Sequence, residues 1–278
     1  MIFYLSHLFV SHEDEYQEDL KESTYPFIVL VAFVLTIFIQ KDFSTGMLML
    51  AVGIAMFYIE GMSLKWVIPV TALAIPASIL MIFSEKFRLN RILAFIYPDK
   101  YKNDLGFQSD RALSAISSGG FFGSGVGSNL TKIEKVPEIQ SDYIFTGWAA
   151  SMGFIGVAAF LLVLGLFAWR GLKIALNSKS KFESYSAFGF VLMILTQSLL
   201  NLAVVCRLCP STGVPLPFFS AGGTSLIITM AMCGFIVNAS RSADIHEDEN
   251  SFVNTESSSE EKVYDNDFLN IGVKIEDE

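Results

Sequence analysis

Apolar residues in this chain do not alternate with polar ones at a helix or strand period; they run together in long blocks. Six blocks reach or approach the ~20 residues that a helix needs to cross a hydrocarbon core. They are roughly Tyr25–Ile39, Thr45–Ile59, Lys65–Phe83, Tyr143–Trp169, Tyr185–Val205 and Gly223–Ala239. The first two are short and share the tight turn Gln40–Ser44, which predicts a closely linked helical hairpin with tilt or snorkelling at its ends. A further apolar run, Met1–Val10, is too short to span, and no basic stretch or small-residue cleavage site marks it as a signal peptide. Its abrupt apolar beginning suggests a natural start upstream. The pattern predicts an all-α integral membrane protein, a polytopic helical bundle with about six complete transmembrane helices. Residues 1–240 form the membrane domain, with a large extracytoplasmic loop over 84–142, and residues 241–278 form a disordered acidic tail in the cytoplasm.

Composition sharpens this picture. The chain is 52% hydrophobic and 17% charged, with 25 Phe, and much of its net charge of -9 falls in the Ser-rich tail. No basic stripe suits nucleic acid, so nucleic-acid partners are not expected. Cys206 and Cys209 form a C-x-x-C without a second pair, and His7, His12 and His246 lie far off in sequence. Two small, soft residues near a helix end are the simpler reading than a metal or redox site.

Short basic loops stay in the cytoplasm, and Arg170–Ser184 carries Arg170, Lys173, Lys179 and Lys181 against Glu183. Counting spans from there places Met1–Thr24 and Gly61–Ser63 inside, and Gln40–Ser44, Ser84–Asp142 and Pro210–Gly222 outside.

Two outward segments are unusual. The long one includes a semi-apolar stretch, Phe107–Phe122, that suits an interfacial amphipathic helix or a re-entrant piece. It continues into Gly119-Gly-Phe-Phe-Gly123-Ser-Gly125-Val-Gly127, where glycines allow either close backbone approach to a ligand or simple flexibility. It ends in Lys132, Lys135, Pro137, Glu138, Ser141 and Asp142, immediately before an apolar span. An ionisable group there is expensive unless hydrated, paired or used. Asp142 has two open readings, a cap for the following helix and a catalytic carboxylate. The second segment, Pro210–Ser225, holds three prolines and three glycines between apolar flanks. Irregular backbone at membrane depth needs protein or a wet cavity around it, a stiff surface turn being the alternative. The amides and hydroxyls of Gly223-Thr224-Ser225 suit an anionic group.

These segments resemble the SEDS family (shape, elongation, division, sporulation) of peptidoglycan polymerases. Val136-Pro-Glu-Ile-Gln-Ser-Asp-Tyr-Ile-Phe145, then Met152-Gly-Phe-Ile-Gly156, resembles its Pro-Glu, Ser/Thr-Asp and Gly-Phe-x-Gly signature. Pro210–Ser225 is similar to its closing motif. Phe87–Ile92, Gly106–Gln108 and Gly119–Gly127 are similar to the start of its large outer loop, and Asp42-Phe43 with Thr45 to its Asp-Phe-Gly-Thr turn. The likeness runs in order from about residue 1 to 240 and covers the family's later spans.

The resemblance implies a peptidoglycan glycosyltransferase that polymerises lipid II into glycan strands, with the Lys-x-Glu before Val136 closer to the division branch than to the elongation branch. It implies Asp142 as the catalytic carboxylate, as base or as holder of a divalent cation (Mg or Mn). Arg88, Arg91 and Lys132 are implied as diphosphate ligands. Gln108, Glu138, Ser141, Ser220, Gly222, Gly223, Thr224 and Ser225 line the site. Implied partners are lipid II, undecaprenyl-diphosphate-linked glycan, a class B penicillin-binding protein transpeptidase, other divisome proteins and membrane lipids. A precursor flippase or a non-catalytic scaffold are the alternatives. A transporter places its charges near the bilayer midplane, whereas here they stand at the outer ends of the spans. Several positions depart from the family pattern: Trp148-Ala-Ala-Ser151 where Glu is usual, Lys41 for Pro, Ser44 for Gly, Arg207 for a small residue and Ala221 for Tyr.

Overall fold

The computed structural model describes residues 1–11, 24–61, 85–97, 105–125 and 141–241, with a few isolated positions between 72 and 100. The expected span Lys65–Phe83, apart from isolated positions, and the acidic tail from 242 onward lie outside the described residues, as do Lys132 and Glu138.

The described residues are overwhelmingly helical: α1 Ile2–Ser11, α2 Thr24–Ile39, α3 Phe43–Ile59, α4 Lys86–Ile96, α5 Leu105–Gly119, α6 Ile144–Asn177, α7 Lys181–Val205 and α8 Gly223–Arg241. Helices α6, α7 and α8 are long and apolar enough to cross a membrane, while α1, α2 and α3 are shorter apolar helices. The bundle packs around α7, which touches α1, α3 and α6. Its largest core joins Leu5 and Phe9 of α1, Leu30 of α2, Phe57 of α3 and Val191 and Ile194 of α7. Outward faces stay apolar, with Leu162 and Val163 of α6 and Ile227 of α8 more than half exposed. A solvated surface would not tolerate that in bulk, whereas lipid does.

The hairpin expected at Gln40–Ser44 is present. Asp42 caps α3 by accepting a hydrogen bond from the Thr45 amide at 3.1 Å. Lys41 takes the left-handed backbone at φ 64° that closes α2.

Two expectations need correction. The basic loop Arg170–Ser184 shrinks, because α6 runs on to Asn177 and α7 begins at Lys181, so Arg170 and Lys173 ride on the end of α6. Long cationic side chains there reach the interface from within a helix. The apolar block Tyr143–Trp169 is also not one uninterrupted helix. Gly153 breaks α6 with φ 64° and ψ −161°, a conformation essentially reserved for glycine.

The break explains the glycine-rich segment. In a continuous helix the Phe154 amide would donate to the Ala150 carbonyl, and the Ile155 amide to that of Ser151. Instead Phe154 N–H donates to Gly120 O at 3.0 Å and Ile155 N–H to Phe121 O at 3.3 Å. The carbonyls of Ala150 and Ser151 accept from the amides of Ser124 (3.2 Å) and Gly125 (3.1 Å). All four groups released by the break are therefore satisfied by residues 120–125. The close backbone approach that Gly119 and Gly123 make is to α6. A β-carbon on Gly123 would stand 2.1 Å from Ser151 O. Helix α5, left open above as interfacial or re-entrant, packs on α6 through buried Ala112 and Ala115.

Candidate functional site

Three segments expected on the outer side meet at one end of the bundle: the Lys41–Ser44 turn, α4, and the closing loop after α7. Between them lies a groove of about 500 Å³. Its rim carries Lys41, Arg88 and Arg91, and its depth is apolar, with Met47, Leu48, Ala51, Ile92 and Leu200. Arg88 donates to the Lys41 carbonyl at 2.9 Å and stands 5.8 Å from the Phe43 ring, so it also braces the turn. Lys41 pairs with Glu85 at 2.8 Å, and this hydrogen bond and charge hold the exposed Glu85 carboxyl below its ordinary pKa.

Arg91 reaches further in. Its guanidinium lies 4.5 Å over the Phe87 ring, and Nη1 donates to Ser211 O at 3.2 Å. Its Nε is buried and has no hydrogen-bond partner among the described residues. Beyond Ser211 the loop turns at Gly213, with φ 75°. A β-carbon there would lie 3.6 Å from Asp142 Oδ2 and 3.8 Å from Arg91 Nη1. Carboxylate and guanidinium thus both border the small opening beside Gly213. Gly213→Ala is expected to cost roughly 1–2 kcal/mol through its left-handed backbone. The same change is expected to lower turnover further by filling the gap. A thermal midpoint equal to that of the unmodified protein would remove the backbone argument.

Asp142 is positioned by backbone and side chains together. The N-cap of α6 falls on Tyr143, which makes no side-chain cap bond, so Asp142 stands one residue before the capping position. Buried Tyr143 shares a 3.4 Å hydrogen bond with Ser109 of α5. Asn201 of α7 donates to Asp142 O and to Val214 O, each at 2.9 Å. One turn earlier, Gln197 donates to Pro215 O at 3.0 Å. On the far side Asp110 of α5 pairs with Arg207 at 2.6 Å, securing α5 to the end of α7.

The structure divides the remaining candidates. Gln108 sits half-buried at the start of α5, where Ser109 touches Tyr143. The Ser220 hydroxyl accepts from the Leu216 amide and donates to Ser141 O, each at 2.7 Å, so both serines tie the closing loop to the Asp142 segment. Gly222 precedes α8, Gly223, Thr224 and Ser225 begin it, and none of the four borders the Arg88–Arg91 groove. Ser225 instead lines a separate apolar cavity of about 490 Å³ beside Phe3 and Met193. Gln197 and Asn201 had been missed. Two carboxamides four residues apart in an apolar span were the available signal.

Cys206 and Cys209 are free thiols, and Cys209 lines the groove. No group of three or more His, Cys, Asp or Glu among the described residues stands close enough to hold a metal. Asp142 also shares its surroundings with the Arg91 cation, a donor set that does not fit a resident Mg or Mn ion.

The profile of the cell cycle proteins FtsW, RodA and SpoVE matches residues 1–245. The chain belongs to the FtsW/RodA/SpoVE family. A probable peptidoglycan glycosyltransferase FtsW of Borreliella burgdorferi is 34% identical over 216 residues, covering 78% of this chain and 59% of that protein. Stage V sporulation protein E of Bacillus subtilis is 35% identical over 214 residues, covering 77% and 58%. The chain therefore spans about three fifths of the length of these curated relatives. Among solved structures, a peptidoglycan synthase complex studied for its coordination of polymerization and crosslinking matches with TM-score 0.65 and 23% identity, over 87% of this chain and 68% of the other. The rod-shape-determining protein RodA of Thermus thermophilus, in a mutant form, gives 0.56 and 20%, over 86% and 64%. These likenesses establish the family's polytopic membrane fold for this chain.

Proposed function

We propose that this member of the FtsW/RodA/SpoVE family is a peptidoglycan glycosyltransferase that extends glycan strands from lipid II during cell division. The single supporting observation is the groove, a cationic rim over an apolar trench ending at Thr212, with Asp142 just beyond it where its carboxylate and the Arg91 guanidinium both come close to Gly213. A lipid-linked sugar diphosphate has the complementary layout of polyprenyl chain, diphosphate and sugar. Met47, Leu48 and Leu200 suit the chain. Arg91, with Arg88 and Lys41 at the rim, suits the diphosphate, since guanidinium groups match phosphate oxygens. The Arg91 Nε, unpartnered among the described residues, calls for an acceptor that those residues do not provide.

In the proposed reaction Asp142 takes the proton from the acceptor sugar hydroxyl. The hydroxyl oxygen forms its bond to the donor's anomeric carbon as the bond from that carbon to the diphosphate oxygen breaks. The configuration inverts, and the undecaprenyl diphosphate leaves with its charge held by Arg91. The groove mouth faces the outside of the cytoplasmic membrane, and the C-terminus the cytoplasm. A class B penicillin-binding protein is the proposed transpeptidase partner. No step here depends on a divalent ion.

The test is polymerisation of lipid II by the purified full chain, with and without a class B partner. Arg91→Ala is expected to raise the KM for lipid II roughly 10- to 100-fold, the worth of a hydrogen bond to a charged group. An unchanged KM would place the diphosphate elsewhere. No strands under either condition would reject the glycosyltransferase reading in favour of a scaffold.

A further inference from the structure

The two carboxamides on α7 do different jobs. Gln197 holds only the closing loop, through Pro215 O. Asn201 spans two segments that are remote in sequence, the Asp142 peptide and Val214 next to Gly213. It is 1% exposed, and both of its bonds leave from Nδ2. That assigns the orientation of its amide. With the groups exchanged, the oxygen would face two carbonyls that have no hydrogen to give. The consequence is a buried Oδ1 without a partner among the described residues. Such an orphan is a liability in an apolar bundle, where a leucine would pack without loss. Proteins keep liabilities of this kind where a functional geometry needs them.

We propose that Asn201 is a positioning residue for Asp142, clamping its peptide to the closing loop so that carboxylate, Gly213 and Arg91 hold one spacing. This rests on the role of Asp142 proposed above. The clamp acts from the rigid interior of α7, which carries no irregular backbone between Lys181 and Val205. Ser220 joins the same two segments from the loop itself, through Ser141 O, but it moves with that loop. Asn201 thus refers both edges of the opening to a fixed helix, whereas Ser220 only refers one edge to the other.

The test uses the full chain in detergent and compares Asn201→Ala, Asn201→Asp and Gln197→Ala. Asp keeps the shape of Asn but, ionised or protonated, cannot donate to both carbonyls, so it separates the paired hydrogen bonds from volume. Two readouts are taken, hydrogen exchange by mass spectrometry and the kinetics of lipid II polymerisation. Both Asn201 variants are expected to speed exchange in residues 141–146 and 213–216 together. Gln197→Ala is expected to speed only the second segment. Both Asn201 variants are expected to lower kcat about 10- to 100-fold at near-constant KM, the scale of an ångström-sized misplacement. In an Asp142→Asn background, Asn201→Ala should remove little more. Faster exchange in the closing loop alone, a raised KM with kcat intact, or a full further loss in that background would overturn the assignment. If Asn201→Ala does not fold, Asn201→Ser, which retains one donor, takes its place with the same criteria. A coupled exchange response in a protein that makes no glycan would uphold the clamp and reject the glycosyltransferase reading, so the two failures are distinct.

Discussion

Gly153→Ala is expected to destabilise the protein by about 3–5 kcal/mol, the sum of a backbone conformation closed to alanine and of backbone bonds lost. Gly153 adopts φ 64° and ψ −161° inside α6, and a β-carbon on it would stand 2.2 Å from Gly123 N and 2.8 Å from Phe121 O. Those neighbours are backbone atoms fixed by four hydrogen bonds, so they cannot swing aside as a side-chain tip would. Relief requires either expelling the 120–125 segment or straightening α6. Both strand polar groups at membrane depth, where water does not replace a lost partner. The stacking of Phe121 on Phe154, with centroids 5.5 Å apart, would go as well. The thermal midpoint in detergent should fall by something on the order of 10 °C. Gly165→Ala, in the same helix with no atom within 4 Å of the added carbon, is the control. It should be neutral or slightly stabilising, because alanine is the better helix former. Equal midpoints for the Gly153 variant and the unmodified protein would show that the break is not held by this exchange.

That break also marks where the sequence ceased to be legible. Hydropathy located α7 to within a few residues, because a run such as Phe188–Val205 reports its environment directly. It missed the interruption of α6, because apolar residues continue on both sides of Gly153 and hydropathy says nothing of φ. The glycines at 119–125 left close backbone approach and flexibility both open, and Gly119 and Gly123 make a close approach. They did not reveal the object approached, since that lies some thirty residues downstream and only packing brings it near. Gly222–Ser225 show the reverse. Their amides and hydroxyls suit an anion in composition, yet none of them lines the groove and Ser225 lines a different cavity, and no local pattern encodes which side of the closing loop a helix start will occupy. Arg88, Arg91 and Asp142 were identified from motif likeness, and the geometry at Gly213 gives two of them a shared opening. Asn201 was legible in principle, since a carboxamide inside a membrane span is costly unless it has a task.

Asp142→Asn is expected to slow polymerisation of lipid II by about 10²- to 10⁴-fold, the contribution of a positioned general base. The substitution keeps the volume and leaves the main-chain carbonyl that Asn201 grips, so the clamp and the fold should survive. Only basicity and charge are removed. The rate loss corresponds to roughly 3–5 kcal/mol of transition-state stabilisation, far above what an exposed surface carboxylate contributes through ion pairing. Asp142→Glu separates two requirements. It restores the carboxylate but moves it along an extra methylene beside Gly213, where Arg91 Nη1 would lie 3.8 Å from a β-carbon on that glycine. An intermediate rate would mean that both charge and placement matter, and a rate as low as that of Asn would mean placement dominates. Binding should change less than turnover, because the diphosphate is assigned to the Arg91 side of the opening and the proton transfer to the Asp142 side. An Asn variant that polymerises within a few-fold of the unmodified chain, with strands of the same length, would take Asp142 out of the chemistry. The Gly213 opening would then be a structural contact between the closing loop and α6.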